Sequence, residues 1–145
     1  MPQVRNGLNR EKIEYLFKIF GQQHNWRPGN SGTEEKNKNK MENSKNCIDA
    51  CLACAIECEE CATCCINLND KNNLKSIALC RDCADICALC ARFEARGSSF
   101  AAALCKLCAE LCIACAAECE KPSAPDCCKK IAGACKKCAV ECSKM

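Results

Sequence analysis

Along the last two-thirds of the chain, non-polar positions recur at alternating steps of three and four, with charged and small residues between them. In CIDACLACAIECEECATCC, residues 47–65, the recurring positions are Cys47, Cys51, Cys54, Cys58, Cys61 and Cys65, at steps of 4, 3, 4, 3 and 4. That is the heptad spacing of a helix with one buried seam. Cys80, Cys83, Cys87 and Cys90 repeat it, as do Cys105, Cys108, Cys112, Cys115 and Cys119. A last segment carries Cys127, Cys128, Cys135, Cys138 and Cys142, with Ile131 and Met145 continuing the same seam. LNDKNN, Gly97 and Pro122 interrupt the pattern. The periodicity therefore predicts one helix over about 46–67, with Asn46 as its cap, and a second over about 72–96, with Gly97 at its C′ position. A third runs from a Ser98 or Ser99 cap to about residue 120. The fourth follows Ser123-Ala-Pro-Asp126, which reads as a capping box with proline in the first turn.

Four amphipathic helices joined by short loops predict an all-α fold, an antiparallel up-down-up-down four-helix bundle. Each helix turns its cysteine seam inward, because that is its most apolar stripe. Leu79, Ile86 and Phe93 flank the second seam at seven-residue intervals, and Leu104 and Leu111 flank the third, as packing residues. Ala55, Ala62, Ala84, Ala109 and Ala116 let the helices approach closely. Upstream, Leu8, Ile13, Leu16, Phe17 and Phe20 stand near helical spacing and allow a short amphipathic helix over residues 8–20. GQQHNWRPGNSGTEEKNKNK reads as a polar flexible linker. The expected organisation is a polar arm, residues 1–43, followed by a cysteine-rich bundle, residues 44–145.

Composition changes the picture at one point: 21 of the 145 residues are cysteine. A small cysteine-dense chain is ordinarily a secreted disulfide scaffold. The odd count, the regular period and the absence of a signal-like segment in residues 1–25 argue for reduced thiols and a cytoplasmic protein. No run has the length of a membrane span. Net charge is +3, but residues 1–40 hold eight Lys/Arg against four Asp/Glu, and the remainder thirteen against fourteen. The cysteine-rich part thus has neither the basic face nor the aromatics of a nucleic-acid binder.

Thiols three and four residues apart on a helix lie on one face with Cβ atoms about 5–6 Å apart. A disulfide needs about 3.8 Å, so this spacing suits a metal ion between two sulfurs. Eight C-x-x-C units occur, at 51/54, 58/61, 61/64, 80/83, 87/90, 105/108, 112/115 and 135/138. An inert core would use alanine or valine as readily. Soft thiolates select Cu(I), Zn(II) or iron–sulfur clusters. About five Zn(II) tetrathiolate sites would bury two negative charges each, at high cost in a low-dielectric core. Cu(I) bridged by shared thiolates ends near neutrality. Iron–sulfur clusters take cysteines from wrapped loops, and a redox thiol sits at a helix N-terminus. The expected cargo is several Cu(I) per chain on the 21 cysteines, Cys64 included. A zinc or mixed soft-metal buffer and a thiol redox reservoir are the alternatives. The bundle has no catalytic constellation, so no enzyme is expected.

CIDACLACAIECEECATCC, LCRDCADICALCA, GSSFAAALCKLCAELCIACAAECEK and KKCAVEC resemble the four-helix-bundle copper storage proteins over roughly residues 44–145. The resemblance implies many Cu(I) ions along the core, a homotetramer, exchange with copper donor or acceptor proteins, and the cytosolic form. It also implies histidines near the loop between the third and fourth helices. Here that loop reads EKPSAPDCC, and the one histidine is His24 in the arm. In an up-down-up-down bundle, Cys64, Cys65, Cys80, Cys119, Cys127 and Cys128 share one mouth. Adjacent helical residues point about 100° apart, so Cys65 and Cys128 continue the seam and Cys64 and Cys127 fall near the rim. Phe93, Phe100, Leu104 and Met145 are expected to make the opposite mouth apolar, with Met145 in packing and Glu94 as a solvated end residue.

Overall fold

The computed structural model describes residues 31–145, with side chains from Glu34 onward. Four helices account for nearly all of them: α1 (Ser31–Leu68), α2 (Leu74–Ala95), α3 (Ala101–Cys119) and α4 (Asp126–Cys142), with a 3₁₀ turn, Lys71–Asn73, before α2. The amphipathic pattern at residues 8–20 and His24 lie outside the described residues.

The first helix is longer than its apolar stripe. It begins at Ser31, so Asn46 is inside α1 and not its cap, and residues 31–40 of the expected linker are helical. Residues 34–42 are exposed and carry no buried face. They are rich in Glu and Lys, which have good helix propensity, and Glu34 lies in the first turn where the helix dipole favours it. A helix already nucleated by the buried cysteine face extends through such residues at little cost.

The connections are tight. Asn69 follows α1 with φ of 51°, and the Asp70 carboxylate accepts the Asn72 amide at 2.9 Å, closing the 3₁₀ turn. Gly97 ends α2 at φ 63°, with its amide on the Glu94 carbonyl and the Ser98 amide on Phe93, both at 3.0 Å. That pair of bonds is a Schellman cap, which needs a left-handed residue at this position. Two expected caps differ. Phe100 holds the N-cap position of α3, and the Ser98 hydroxyl accepts the Phe100 amide one turn earlier, at 3.2 Å. Pro125 caps α4 through its backbone carbonyl, which accepts the Cys128 and Lys129 amides, and no side-chain box forms. The proline ring fixes φ at −59° there, and with ψ at 154° the chain turns into the helix without a side-chain acceptor.

Neighbouring helices run in opposite directions. Cys47 near the start of the α1 seam meets Cys142 at the end of α4, and Cys65 at its end meets Cys128 at the start of α4. In α2 and α3 the order likewise reverses, from Cys80–Cys119 to Cys90–Cys105. The buried interior consists of the seam cysteines, alanines including Ala62, Ala84, Ala109 and Ala116, and one larger aliphatic, Ile131. Leu79, Ile86 and Leu111 pack against its flanks, as their spacing predicts, and Ile77 packs there as well. Among the described residues, no helix is long and apolar enough to cross a membrane.

Candidate metal centre

Cysteine is short, so a seam thiol cannot leave the face on which its helix places it. Steps of three and four keep each Sγ pointed at the bundle axis, and four such seams line that axis with sulfur. All 21 cysteines are free thiols; Cys64 and Cys127 are half-buried, and every other one is buried. The rim placement expected for these two is what the structure holds.

Neighbouring sulfurs are close across helices as well as along them. Cys51 and Cys142 lie 3.5 Å apart, Cys83 and Cys112 3.5 Å, Cys87 and Cys108 3.6 Å, and Cys54 and Cys135 3.7 Å. Sets of four converge with their sulfurs within 4.8 Å of one another: Cys47/Cys51/Cys90/Cys142, Cys51/Cys108/Cys138/Cys142, Cys54/Cys83/Cys87/Cys112, Cys54/Cys58/Cys83/Cys135 and Cys61/Cys65/Cys127/Cys128. Several sets share members. Cys51 and Cys142 belong to two, as do Cys54 and Cys83. A closed mononuclear zinc site uses four ligands of its own. Overlapping sets instead suit metals bridged by common sulfurs.

The mouth formed by the ends of α1 and α3 and the starts of α2 and α4 brings together what the topology required. Cys61 and Cys65 reach Cys128 at 3.0 and 3.1 Å, and Cys80 reaches Cys115 and Cys119 at 3.8 and 4.0 Å. The opposite mouth is less apolar than expected. Phe100 is exposed, and Met145 packs on the core edge. Glu94 is not a solvated end residue but half-buried. Its carboxylate accepts the Ser44 hydroxyl at 2.9 Å and the Cys105 thiol at 3.4 Å. The signal was in the register: Glu94 stands four residues after Cys90, and Ser44 three before Cys47, so both occupy seam positions.

Electrostatics in the core follow from burial and shared protons. Burial pushes the Cys65 thiol up to about 12, and it is the main cause of raised values at Cys105 and Cys128. Hydrogen bonding between Cys108 and Cys112, 3.9 Å apart, holds Cys108 low and raises Cys112. A soft cation that binds these sulfurs displaces the protons they share.

A helical bundle whose axis is a continuous thiol array is a metal-binding protein built for soft ions, many at a time. The copper storage protein family matches residues 40–145, and the chain belongs to that family. It is 40% identical to the Cu(I)-bound copper storage protein BsCsp3, over 71% of this chain and 97% of that one, with a TM-score of 0.66. Apo copper storage protein 3 from Bacillus subtilis gives 40% identity over 70% and 96%, with a TM-score of 0.63. A cytosolic copper storage protein from Streptomyces lividans, described with five coppers, is 30% identical over 74% and 94%, with a TM-score of 0.67. No curated protein sequence matches the chain.

Proposed function

We infer that this protein sequesters many Cu(I) ions per chain on its core thiolates and holds them as a store, without catalysing a reaction. The overlapping cysteine sets carry this reading, because shared sulfurs keep the metal-to-ligand ratio high and the buried charge low. Family membership supports copper over the zinc-buffer and redox-reservoir alternatives. The ligands are the 19 seam thiols with Cys64 and Cys127 at one mouth. Residues 44–145 form the storing unit, and residues 1–43 are a polar extension outside it. The cytosol, where thiols stay reduced, is the compartment that fits, and copper donor and acceptor proteins are its partners. Copies associate into a homo-oligomer, for which exposed Leu52 and Ile56 on α1 and Leu107 and Ile113 on α3 supply apolar surface.

Anaerobic titration of the reduced protein with Cu(I) against a competing chelator, with Zn(II) in parallel, tests the assignment. Cu(I) is expected to displace Zn(II) completely. Retention of Zn(II) against Cu(I) would transfer the function to a zinc buffer.

A further inference from the structure

Storage explains why 19 of the thiols are buried, but it does not explain why two reach the surface. Cys64 lies in the last turns of α1 and Cys127 in the first turn of α4. Both line one open pocket, with Glu57, Glu60, Cys61 and Lys130 around them. Cys127 also belongs to the inner set, its sulfur within 4.8 Å of those of Cys61, Cys65 and Cys128. It therefore joins solvent to the core set at this mouth.

Two further observations give the route a direction. At this mouth the shortest sulfur pairs are Cys61–Cys128 and Cys65–Cys128, at 3.0 and 3.1 Å, in the same set as Cys127. At the opposite mouth, Ser44 and Cys105 both bond to Glu94, and Cys90 and Cys105 close to 3.0 Å. One end of the thiol column ends in half-exposed sulfur, the other in a hydrogen-bonded carboxylate tied across two helices.

We propose that the Cys64–Cys127 pocket is the port through which Cu(I) is exchanged with a carrier that presents the metal between two thiolates. This rests on the storage reading above. In the exchange, the carrier's two Cu–S bonds break and bonds to Cys64 and Cys127 form. The two protons of Cys64 and Cys127 pass to the departing carrier thiolates, so copper stays Cu(I) and charge balances. The ion then exchanges Cys64 for Cys61, Cys65 or Cys128, whose thiol proton passes to the departing Cys64 thiolate, while Cys127 keeps hold of the metal. The reverse sequence releases copper.

The test uses the full chain, reduced and anaerobic, with Cu(I) supplied either as its glutathione complex or on a Cys-x-x-Cys carrier domain. Copper in the protein fraction is measured after rapid desalting at successive times. Cys64→Ser/Cys127→Ser should load roughly tenfold more slowly than wild type, with a final load close to wild type and an unchanged circular dichroism spectrum. Slowing with the glutathione complex alone assigns a small-thiol source, and slowing with the carrier domain alone assigns a protein source. Unchanged rates with both overturn the port. Glu94→Gln, at the far mouth, should load at the wild-type rate; a slowing there as large as that of the double variant also overturns it. Limited carbamidomethylation of the native apo protein should fall on Cys64 and Cys127 first, and preferential modification of other cysteines would count against the port. Failure of the wild-type protein itself to take up many Cu(I) would instead refute the storage reading.

Discussion

A cysteine side chain is little larger than alanine, and filling a core with it works only where the helices can approach closely. Alanines beside the seams provide that approach: Ala62, Ala84, Ala109, Ala116, Ala132 and Ala139 are all buried. Protonated thiols are apolar enough for such an interior, and the ionised form is what burial penalises. Cys65 illustrates the consequence. Its pKa rises from 9.0 to about 12 on folding, so the folded chain holds this proton more tightly than the unfolded chain. Its contribution to stability is fully present below about pH 9 and is lost as pH rises towards about 12. The melting temperature of the reduced apo protein is therefore expected to fall over that interval, and a flat or rising profile would contradict burial as the cause. The residues legible in the sequence were those in the heptad register, because a short side chain leaves its position no freedom. Glu94 stood in that register too. Charge alone argued for solvent, and the partner that draws it inward, Ser44, stands 50 residues away in the chain.

The four helices follow from periodicity, while their ends follow from local chemistry that periodicity does not contain. The start of α1 at Ser31 was not legible as a seam, since residues 34–42 bury nothing and are helical through propensity and continuity with the buried part. The serines and aspartate before α3 and α4 suggested side-chain caps, whereas backbone carbonyls and the fixed angle of Pro125 do most of that work. Gly97 was legible, because a helix ending with a glycine before serine names its own conformation. At φ 63° with no atom within 4 Å of an added Cβ, Gly97→Ala meets backbone strain and no steric contact. Urea denaturation of that variant should show a loss of about 1 kcal/mol, leaving copper capacity unchanged. Ion pairs add little at this scale. Glu118 joins Lys75 of α2 at 3.2 Å and Lys121 at 2.7 Å, but both lysines are well exposed.

At the level of the whole molecule, the bundle exists before the metal. Buried thiols, close-packed alanines and satisfied helix ends fold the chain without a cation, unlike small domains that zinc must assemble. Far-ultraviolet circular dichroism of apo and copper-loaded protein should then nearly coincide, and a largely unfolded apo form would show that metal drives folding. What the preformed column offers is number. Its sulfurs lie in overlapping sets along the full length of the bundle, and Cu(I) bridged by shared thiolates fills such a column at close to one metal per sulfur. The measurement that bears most directly on this is copper per chain at saturation, by elemental analysis of the reduced protein after anaerobic loading and gel filtration. On the order of fifteen to twenty Cu(I) per chain is predicted; saturation at about four or five, the yield of separate tetrathiolate sites, would contradict it.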